Sequence, residues 1–320
     1  MDSLPRQRMF YPISADEIDL STIATASGKL RVLQFNMLAD GMSGLRADLG
    51  GFAGVSRRGG ELTWSRRKEQ ILHELTQYEP DVLTLQEVDH FHDWLEPEMA
   101  KRGYVGIFAA RPASPCLQVS PHPDGCAIFV RTRCIRVRSA YTFPFSLRDG
   151  KSTKAINEVA IIAVCEVSLF PYSRLDSIQD ALLLVVTTHL KPNYDSRIDA
   201  VQELLSTVNY IRNELRIAEG VTAEVLIVGD FNAVPSSNTV HAFKTNPSLT
   251  LRSVYSDEMA TNDRELNNSV LSKEGLYTRW AAKVSAKGAL SETKKCLDYC
   301  IYFTPMSKPS ARERQAPTSS

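Results

Sequence analysis

The sequence predicts a layered α/β sandwich. Its apolar residues fall into many short continuous or alternating runs, the patterns that buried β-strands produce. Amphipathic helical patterns lie between these runs without strict alternation, which disfavours a doubly wound parallel sheet. The chain has 320 residues, 43% of them hydrophobic, and this is enough for a sizeable core in one large domain or two small ones.

The individual elements follow from the spacing of the apolar residues. Segments with helical spacing are predicted to be helices, and these are Ser65–Tyr78, Phe91–Lys101 and Ser196–Leu215. Apolar runs are predicted to be strands, and these are Leu30–Leu38, Val82–Val88, Tyr104–Ala110, Cys126–Arg131, Ile135–Phe143, Glu158–Leu169, Ala181–Leu190, Glu224–Gly229 and Leu297–Phe303.

The two ends of the chain are polar and aperiodic. We expect residues 1–28 to form a flexible N-terminal arm, residues 29–304 the folded domain, and residues 305–320 a disordered tail. Within the domain, the Gly-rich residues 39–63 are predicted to form a long surface loop.

Charge and cysteine usage exclude several classes of protein. Lys and Arg together number 37, as do Asp and Glu, so the zero net charge gives no global attraction to nucleic acid or membrane. Residues 1–11 lack a signal-peptide pattern and no apolar run is long enough to span a bilayer, so no membrane association is expected. Cys126 and Cys165 lie in apolar runs, which favours reduced core thiols and a cytoplasmic location and leaves a mitochondrial one open.

Polar residues recur where the apolar runs end. A single strand-end Asp or Asn is more often a turn residue. The repetition instead indicates one shared site, because an unpaired buried charge costs on the order of several kcal/mol. The residues in this pattern are Asn36, Glu87, His189, Asp230, Asn232 and Asp298.

These residue types suit metal-assisted hydrolysis of a phosphate ester. Mg²⁺ prefers a few oxygen ligands and keeps several waters, and Glu87 and Asn36 can supply a carboxylate and an amide oxygen. Asp230 and Asn232 are two apart on an extended segment and project to the same side, where they can activate water and orient the reacting groups. His189, neutral or protonated, can donate to a phosphoryl oxygen as negative charge develops.

Several strings, in order along the chain, carry a family resemblance. They are RVLQFNML, LQEVDHF, SPCLQV, PDGCAIF, TTHLK, GDFNAVP, YTRW and LDYCIYF. From about Leu30 to about Phe303 the chain resembles the endonuclease/exonuclease/phosphatase superfamily, and within it the deadenylase branch. The resemblance implies a four-layer α/β sandwich with two facing mixed sheets and a cleft at their shared edge.

The resemblance also implies residue roles at the strand ends. Glu87 matches the ligand of Mg²⁺, or alternatively Mn²⁺, and Asn36 matches its polar partner. His189 matches a phosphate-contacting residue. Asp230 and Asn232 match a pair that orients the nucleophile.

Further positions match the family with structural alternatives left open. Asp298 matches the carboxylate that orients the family's catalytic His. Asp124 and Asn157 match cleft residues, with a turn and a strand-edge role as equal alternatives. Arg111 and Lys191 are candidate contacts to phosphate or nucleotide, with solvated surface charges as the equal alternative. The remaining histidines are interpreted as surface or packing residues, and these are His73, His90, His92, His122 and His241.

The chain departs from the family pattern near its end. Family members close with a strand bearing Ser-Asp-His, whereas this sequence has no such motif and no His after His241. Loss of a general acid or base typically costs about 10²–10⁴-fold in rate. We also expect the family's closing strand to be missing, and its absence to leave the edge of a sheet exposed. A protein that binds metal or nucleotide without turnover remains the alternative to an enzyme.

The resemblance implies a nucleotide substrate, either the 2′-phosphate of NADP(H) or the 3′ end of poly(A) RNA. Asn193 and Lys283 occupy positions where similar proteins carry basic residues, so the choice stays open. Zero net charge and few candidate aromatics give no clear stacking platform for single-stranded RNA.

Overall fold

The computed structural model describes the chain from residue 30 to residue 303 with gaps. The described residues are 30–45, 62–149, 152–167, 181–191, 194–221, 223–234, 236–246, 251–253, 279–284, 290–295 and 298–303. The predicted arm and tail therefore lie outside the described residues, as does most of the predicted Gly-rich loop.

The described residues form twelve strands and five α-helices. The strands are β1 Val32–Asn36, β2 Val82–Val88, β3 Tyr104–Ala110, β4 Gly125–Arg131, β5 Ile135–Asp149, β6 Ser152–Val167, β7 Ala181–Thr188, β8 Glu224–Asp230, β9 Leu251–Ser253, β10 Arg279–Val284, β11 Leu290–Lys295 and β12 Asp298–Phe303. The helices are α1 Asp40–Gly44, α2 Trp64–Thr76, α3 Glu96–Ala100, α4 Tyr194–Glu219 and α5 Asn238–Lys244. A π-helical turn, Phe91–Leu95, leads into α3, and a 3₁₀ turn spans Pro115–Gln118.

Two mixed sheets organise the described part of the chain. The first has strand order β1-β2-β4-β3, with β1 and β2 parallel and the other pairs antiparallel. The second has order β5-β6-β7-β8-β12-β9, with β7 and β8 parallel. Strands β10 and β11 pair as a separate antiparallel ribbon.

Three apolar clusters separate four layers. One cluster packs α2 and the π turn against the first sheet through residues such as Leu75, Leu85 and Phe129. A second lies between the sheets and includes Ile128 and Ile161. The third packs α4 and α5 on the outer face of the second sheet. The structure thus confirms the predicted sandwich of two facing sheets flanked by helices.

Most element predictions agree with the structure, and the differences have local causes. The hairpin of β5 and β6 extends beyond Phe143 and begins before Glu158, because its far end is more polar and gives no strong apolar signal. Helix α1 occupies the start of the predicted loop, where Gly41 packs closely against Cys116. The prediction of reduced core thiols is confirmed for Cys126 and Cys165, which are buried and unpaired.

The last described strand lies in the interior of the second sheet. Strand β12 lies inside the sheet, between β8 and β9, and not at its edge. Residues Leu251–Ser253 of β9 pair with Ile301–Phe303. Among the described helices, none combines the length and apolar character needed to cross a bilayer.

Candidate functional site

Glu87 is directed into the site by an irregularity of β2. The pairing of β2 with β4 shifts between Gln86 and Val88, so Glu87 is the extra residue of a β-bulge. Its φ of 53° lies in the left-handed region, which a non-glycine residue adopts at an energetic cost. Bulges commonly re-aim a side chain in this way near functional sites.

Asn36, at the end of β1, bridges two carboxylates. Its Nδ2 donates to Glu87 Oε1 at 2.9 Å and to Asp230 Oδ2 at 3.2 Å. Its Oδ1 accepts from the Leu38 backbone N–H at 3.0 Å, which fixes the orientation of the amide. Asn36 therefore presents its amide N–H₂ group to Glu87 and Asp230, while the prediction that its amide oxygen binds a metal stays a prediction.

The parallel pair β7 and β8 brings His189 next to Asp230. The two residues form a bridge directly beyond the strands, and the Leu190 N–H donates to the Asp230 carbonyl at 2.9 Å. This close approach requires Gly229, because a Cβ at that position would lie 2.3 Å from the Thr188 carbonyl oxygen. The glycine before Asp230 is thus part of how the site is assembled.

Asn232 turns back toward His189. Its φ is 47°, a conformation that Asn tolerates better than most residues, and its N–H donates to Asp230 Oδ1 at 3.0 Å. The side-chain Nδ2 donates to the Leu190 carbonyl at 2.8 Å and lies 2.9 Å from His189 Nε2. The buried Arg197 of α4 donates to the Asn232 carbonyl. These contacts hold the Asn232 amide beside the imidazole.

Arg111 and Asn232 each direct a donor group at the His189 ring. Arg111 Nη2 lies 2.9 Å from His189 Nδ1 and Asn232 Nδ2 lies 2.9 Å from Nε2; a neutral imidazole has one accepting nitrogen, so the ring accepts from one of these two donors. Burial lowers the pKa of His189 to about 4, with Arg111 adding to this effect and Asp230 opposing it. His189 is therefore a neutral imidazole, and its Nε2 lies 3.7 Å from Asp230 Oδ2.

Asp124 contacts both the side chain and the backbone of Arg111. It is buried, its Oδ2 lies 3.3 Å from Arg111 Nε, and its carbonyl accepts from the Arg111 N–H at 2.9 Å. The Ser114 hydroxyl donates to its other carboxylate oxygen. The structure therefore gives Asp124 a positioning contact to the site, in addition to its place before β4.

The other predicted residues lie at the margin of this cluster. The amide of Asn157 is occupied by Ala113, whose N–H and carbonyl bond it at 2.8 and 2.6 Å. Lys191 is half-buried and lies beside Glu158. The backbone of Asp298 pairs with that of Asp230, which places it at the same sheet edge; its side chain is outside the described part of the structure.

Sequence reasoning missed two buried charged residues next to this site, Arg197 and Glu158. Arg197 falls on the apolar stripe of α4, four residues before Val201 and seven before Leu204, and a charge at such a position is a detectable signal. Glu158 is also buried, and burial raises its pKa, with Lys191 and Arg111 partly offsetting this effect. Glu158 gave no signal because it begins an apolar run directly after Asn157.

The assembled site places an acidic side next to a donor side. Glu87 and Asp230 form the acidic side, and Glu87 Oε2 is buried without a hydrogen-bond partner among the described residues. An ionised carboxylate oxygen in such a place is stabilised by a cation, so the oxygen ligands fit a hard divalent ion. Arg111, His189 and Asn232 form the donor side. Such a site can hold an anion next to a cation.

The fold and the site define an α/β sandwich protein with an acidic, donor-rich site at the strand ends. The sequence profile of the Endonuclease/Exonuclease/phosphatase family matches residues 33–313. The chain therefore belongs to the endonuclease/exonuclease/phosphatase family.

Individual relatives agree with this assignment. The chain is 30% identical over 292 residues to nocturnin of Rattus norvegicus and 32% identical over 281 residues to nocturnin of Xenopus laevis. These matches cover 90% and 85% of the chain, but only 59% and 61% of the relatives, so the chain spans about three-fifths of their length. The solved human nocturnin catalytic domain with bound sulfate superposes with a TM-score of 0.57 at 28% identity, covering 86% of this chain and 83% of that one.

Proposed function

We propose that the chain is a Mg²⁺-dependent phosphoesterase that hydrolyses a nucleotide phosphate. The observation that carries the proposal is the unpartnered Glu87 Oε2 next to donors that converge from Arg111, His189 and Asn232. A phosphate ester needs both a cation and directed donors, because negative charge develops on its oxygens during hydrolysis. The sulfate in the human nocturnin structure, a close analogue of phosphate, supports an anion site in this fold.

Each residue of the site has a separate role in the proposed hydrolysis. When bound, Mg²⁺ or Mn²⁺ would be held by Glu87 and would supply Lewis-acid stabilisation of phosphoryl oxygens. Arg111 and neutral His189 donate to the phosphate. Asp230 accepts a proton from the attacking water, whose oxygen bonds to phosphorus as the ester bond breaks, and the leaving ribose oxygen takes up a proton from solvent. Asn36 keeps the Glu87 and Asp230 carboxylates together by donating to both.

The substrate is proposed to be either the 2′-phosphate of NADP(H) or the 3′ end of poly(A) RNA. Both place a phosphate ester on an adenosine ribose, and the similarity to nocturnins is compatible with a nucleotide. One experiment separates them. The purified full chain is incubated with Mg²⁺ and either NADPH or oligo(A). Release of inorganic phosphate is measured for NADPH, and strand shortening is measured for oligo(A).

Matched variants test the site itself. Glu87→Gln removes the proposed metal ligand with little change in shape, and Glu69→Gln makes the same change at an exposed position of α2. We expect Glu87→Gln to lose about 10²-fold or more in rate and Glu69→Gln to behave as wild type. Full activity in Glu87→Gln would contradict the metal assignment. Nucleotide binding by calorimetry without product would favour the binding-only alternative.

A further inference from the structure

A second polar cluster includes residues that directly follow β2. His90, Asp93 and His122 each offer a ligand atom, and these atoms lie within 4.8 Å of one another. His90 directly precedes the π turn and Asp93 lies inside it. His122 comes from the segment before β4. Side chains from two separate segments thus converge on one point.

The distances fit a tetrahedral metal with small adjustments. Asp93 Oδ2 lies 2.7 Å from His90 Nδ1 and 3.9 Å from His122 Nε2. Zn–N and Zn–O bonds of about 2.0–2.1 Å give ligand separations of about 3.3 Å in a tetrahedron, between the two measured values. Modest side-chain adjustments would therefore place both imidazoles and the carboxylate around one ion.

The surroundings orient His90 for this role. Its Nδ1 faces Asp93, and its Nε2 faces Asp40 Oδ2 of α1 at 3.9 Å. Metal-bound histidines usually direct their second ring nitrogen to a carboxylate or carbonyl in this manner. Trp64 stacks on the His90 ring with centroids 4.3 Å apart, which limits rotation of the ring. The exposed fractions of Asp93 and His122, 41% and 36%, leave the cluster open to ions from solvent.

We propose that His90, Asp93 and His122 bind a zinc ion, with Asp40 orienting His90. The ion completes a link between α1, the π turn and the segment before β4. Two imidazoles and one carboxylate suit Zn²⁺, whereas Mg²⁺ prefers oxygen ligands alone. The site is therefore chemically distinct from the acidic side of the cleft, and the proposal does not depend on the proposed function.

Cobalt provides a direct spectroscopic probe. The full chain, without a purification tag and stripped with a chelator, is titrated with Co²⁺. We expect one equivalent to give the visible bands of tetrahedral cobalt, Zn²⁺ to abolish them, and excess Mg²⁺ to leave them unchanged. The spectrum should lack a thiolate charge-transfer band, because the described cysteines lie outside the cluster.

Three variants define where the ion binds. His122→Gln removes a half-exposed ligand and should weaken binding by about tenfold or more. His92→Gln is the matched control, because His92 is exposed and contacts Glu96 outside the cluster. Glu87→Gln should keep the cobalt bands, which separates this site from the proposed magnesium site.

Other results would overturn the proposal. They are absence of the bands in wild type, wild-type affinity in His122→Gln, or loss of the bands in Glu87→Gln or His92→Gln. Circular dichroism of each variant checks that it is folded, and Asp93→Asn provides a second ligand variant if His122→Gln is not. Absence of binding in wild type would instead mean that His90 serves as an ion-paired histidine between Asp40 and Asp93.

Discussion

Two histidines near the end of β2 have pKa values that are shifted in opposite directions. His189 is enclosed beside Arg111, and its pKa falls to about 4. Burial acts in the same direction on His90, but the carboxylates of Asp40, Asp93 and Asp89 outweigh it and raise its pKa to about 9. Neighbouring charges therefore decide the protonation state, and so one imidazole is a neutral donor and the other is cationic when no metal is bound.

The largest expected effect separates the two histidines by activity. His189→Gln should lower kcat/KM by about 10²–10³-fold, because the variant loses a donor to the phosphate where negative charge develops. His122→Gln, in the second cluster, should retain wild-type activity in the same assay. Equal losses in the two variants would mean that the clusters are not functionally separate.

The free energy of unfolding at acidic pH tests the environment of His189. Its folded-state pKa of about 4 lies below the unfolded value of 6.5, so its contribution is present above pH 6.5 and is lost as pH falls toward 4. The free energy of unfolding should drop by up to about 3 kcal/mol over this range. Urea unfolding in EDTA measures the drop, and His189→Gln should remove it. An unchanged slope in the variant would assign it to other groups.

The free energy of unfolding at alkaline pH tests the environment of His90, where the expected pH dependence is opposite to that of His189. Its folded-state pKa of about 9 lies above the unfolded value, so its contribution is present below pH 6.5 and is lost as pH rises through 9. We expect wild type to lose about 1–3 kcal/mol across that window in EDTA. His90→Gln should be less stable at pH 6 and show a flatter profile, whereas exposed His92→Gln should follow wild type. A rising profile in wild type would contradict the ion pairing.

The same contrast explains what could be predicted from the sequence. Strand-end residues such as Asn36, Glu87 and Asp230 were found because polar residues interrupt apolar runs, and the fold brings those runs to one edge. The orientation of Asn36 was not predictable, since it depends on a hydrogen bond from Leu38. His90 and His122 are 32 positions apart in the numbering, and no local period indicates that they meet.

Supporting residues are the hardest to predict from a sequence. Asp124 precedes a glycine, so a turn was an equally good interpretation. Its role became visible only when the structure placed its carboxylate 3.3 Å from Arg111 Nε and its backbone carbonyl against the Arg111 N–H. This support distinguishes the donor side of the site from the second cluster, where His122 and Asp93 are partly exposed.

The smallest expected effect tests that support. Asp124→Asn removes the negative charge behind Arg111 but retains an oxygen that can accept from Ser114. We expect kcat/KM to fall by about tenfold, because hydrogen bonds to charged groups contribute about 1.5–3 kcal/mol and only part of that is lost. The loss should appear mainly in KM if Arg111 contacts the phosphate equally in the ground and transition states. Asn157→Ala is the matched control, since Asn157 bonds Ala113 of the same loop without touching Arg111. A similar rise in KM in both variants would show that the loop as a whole, and not the Asp124 charge, sets the position of the guanidinium.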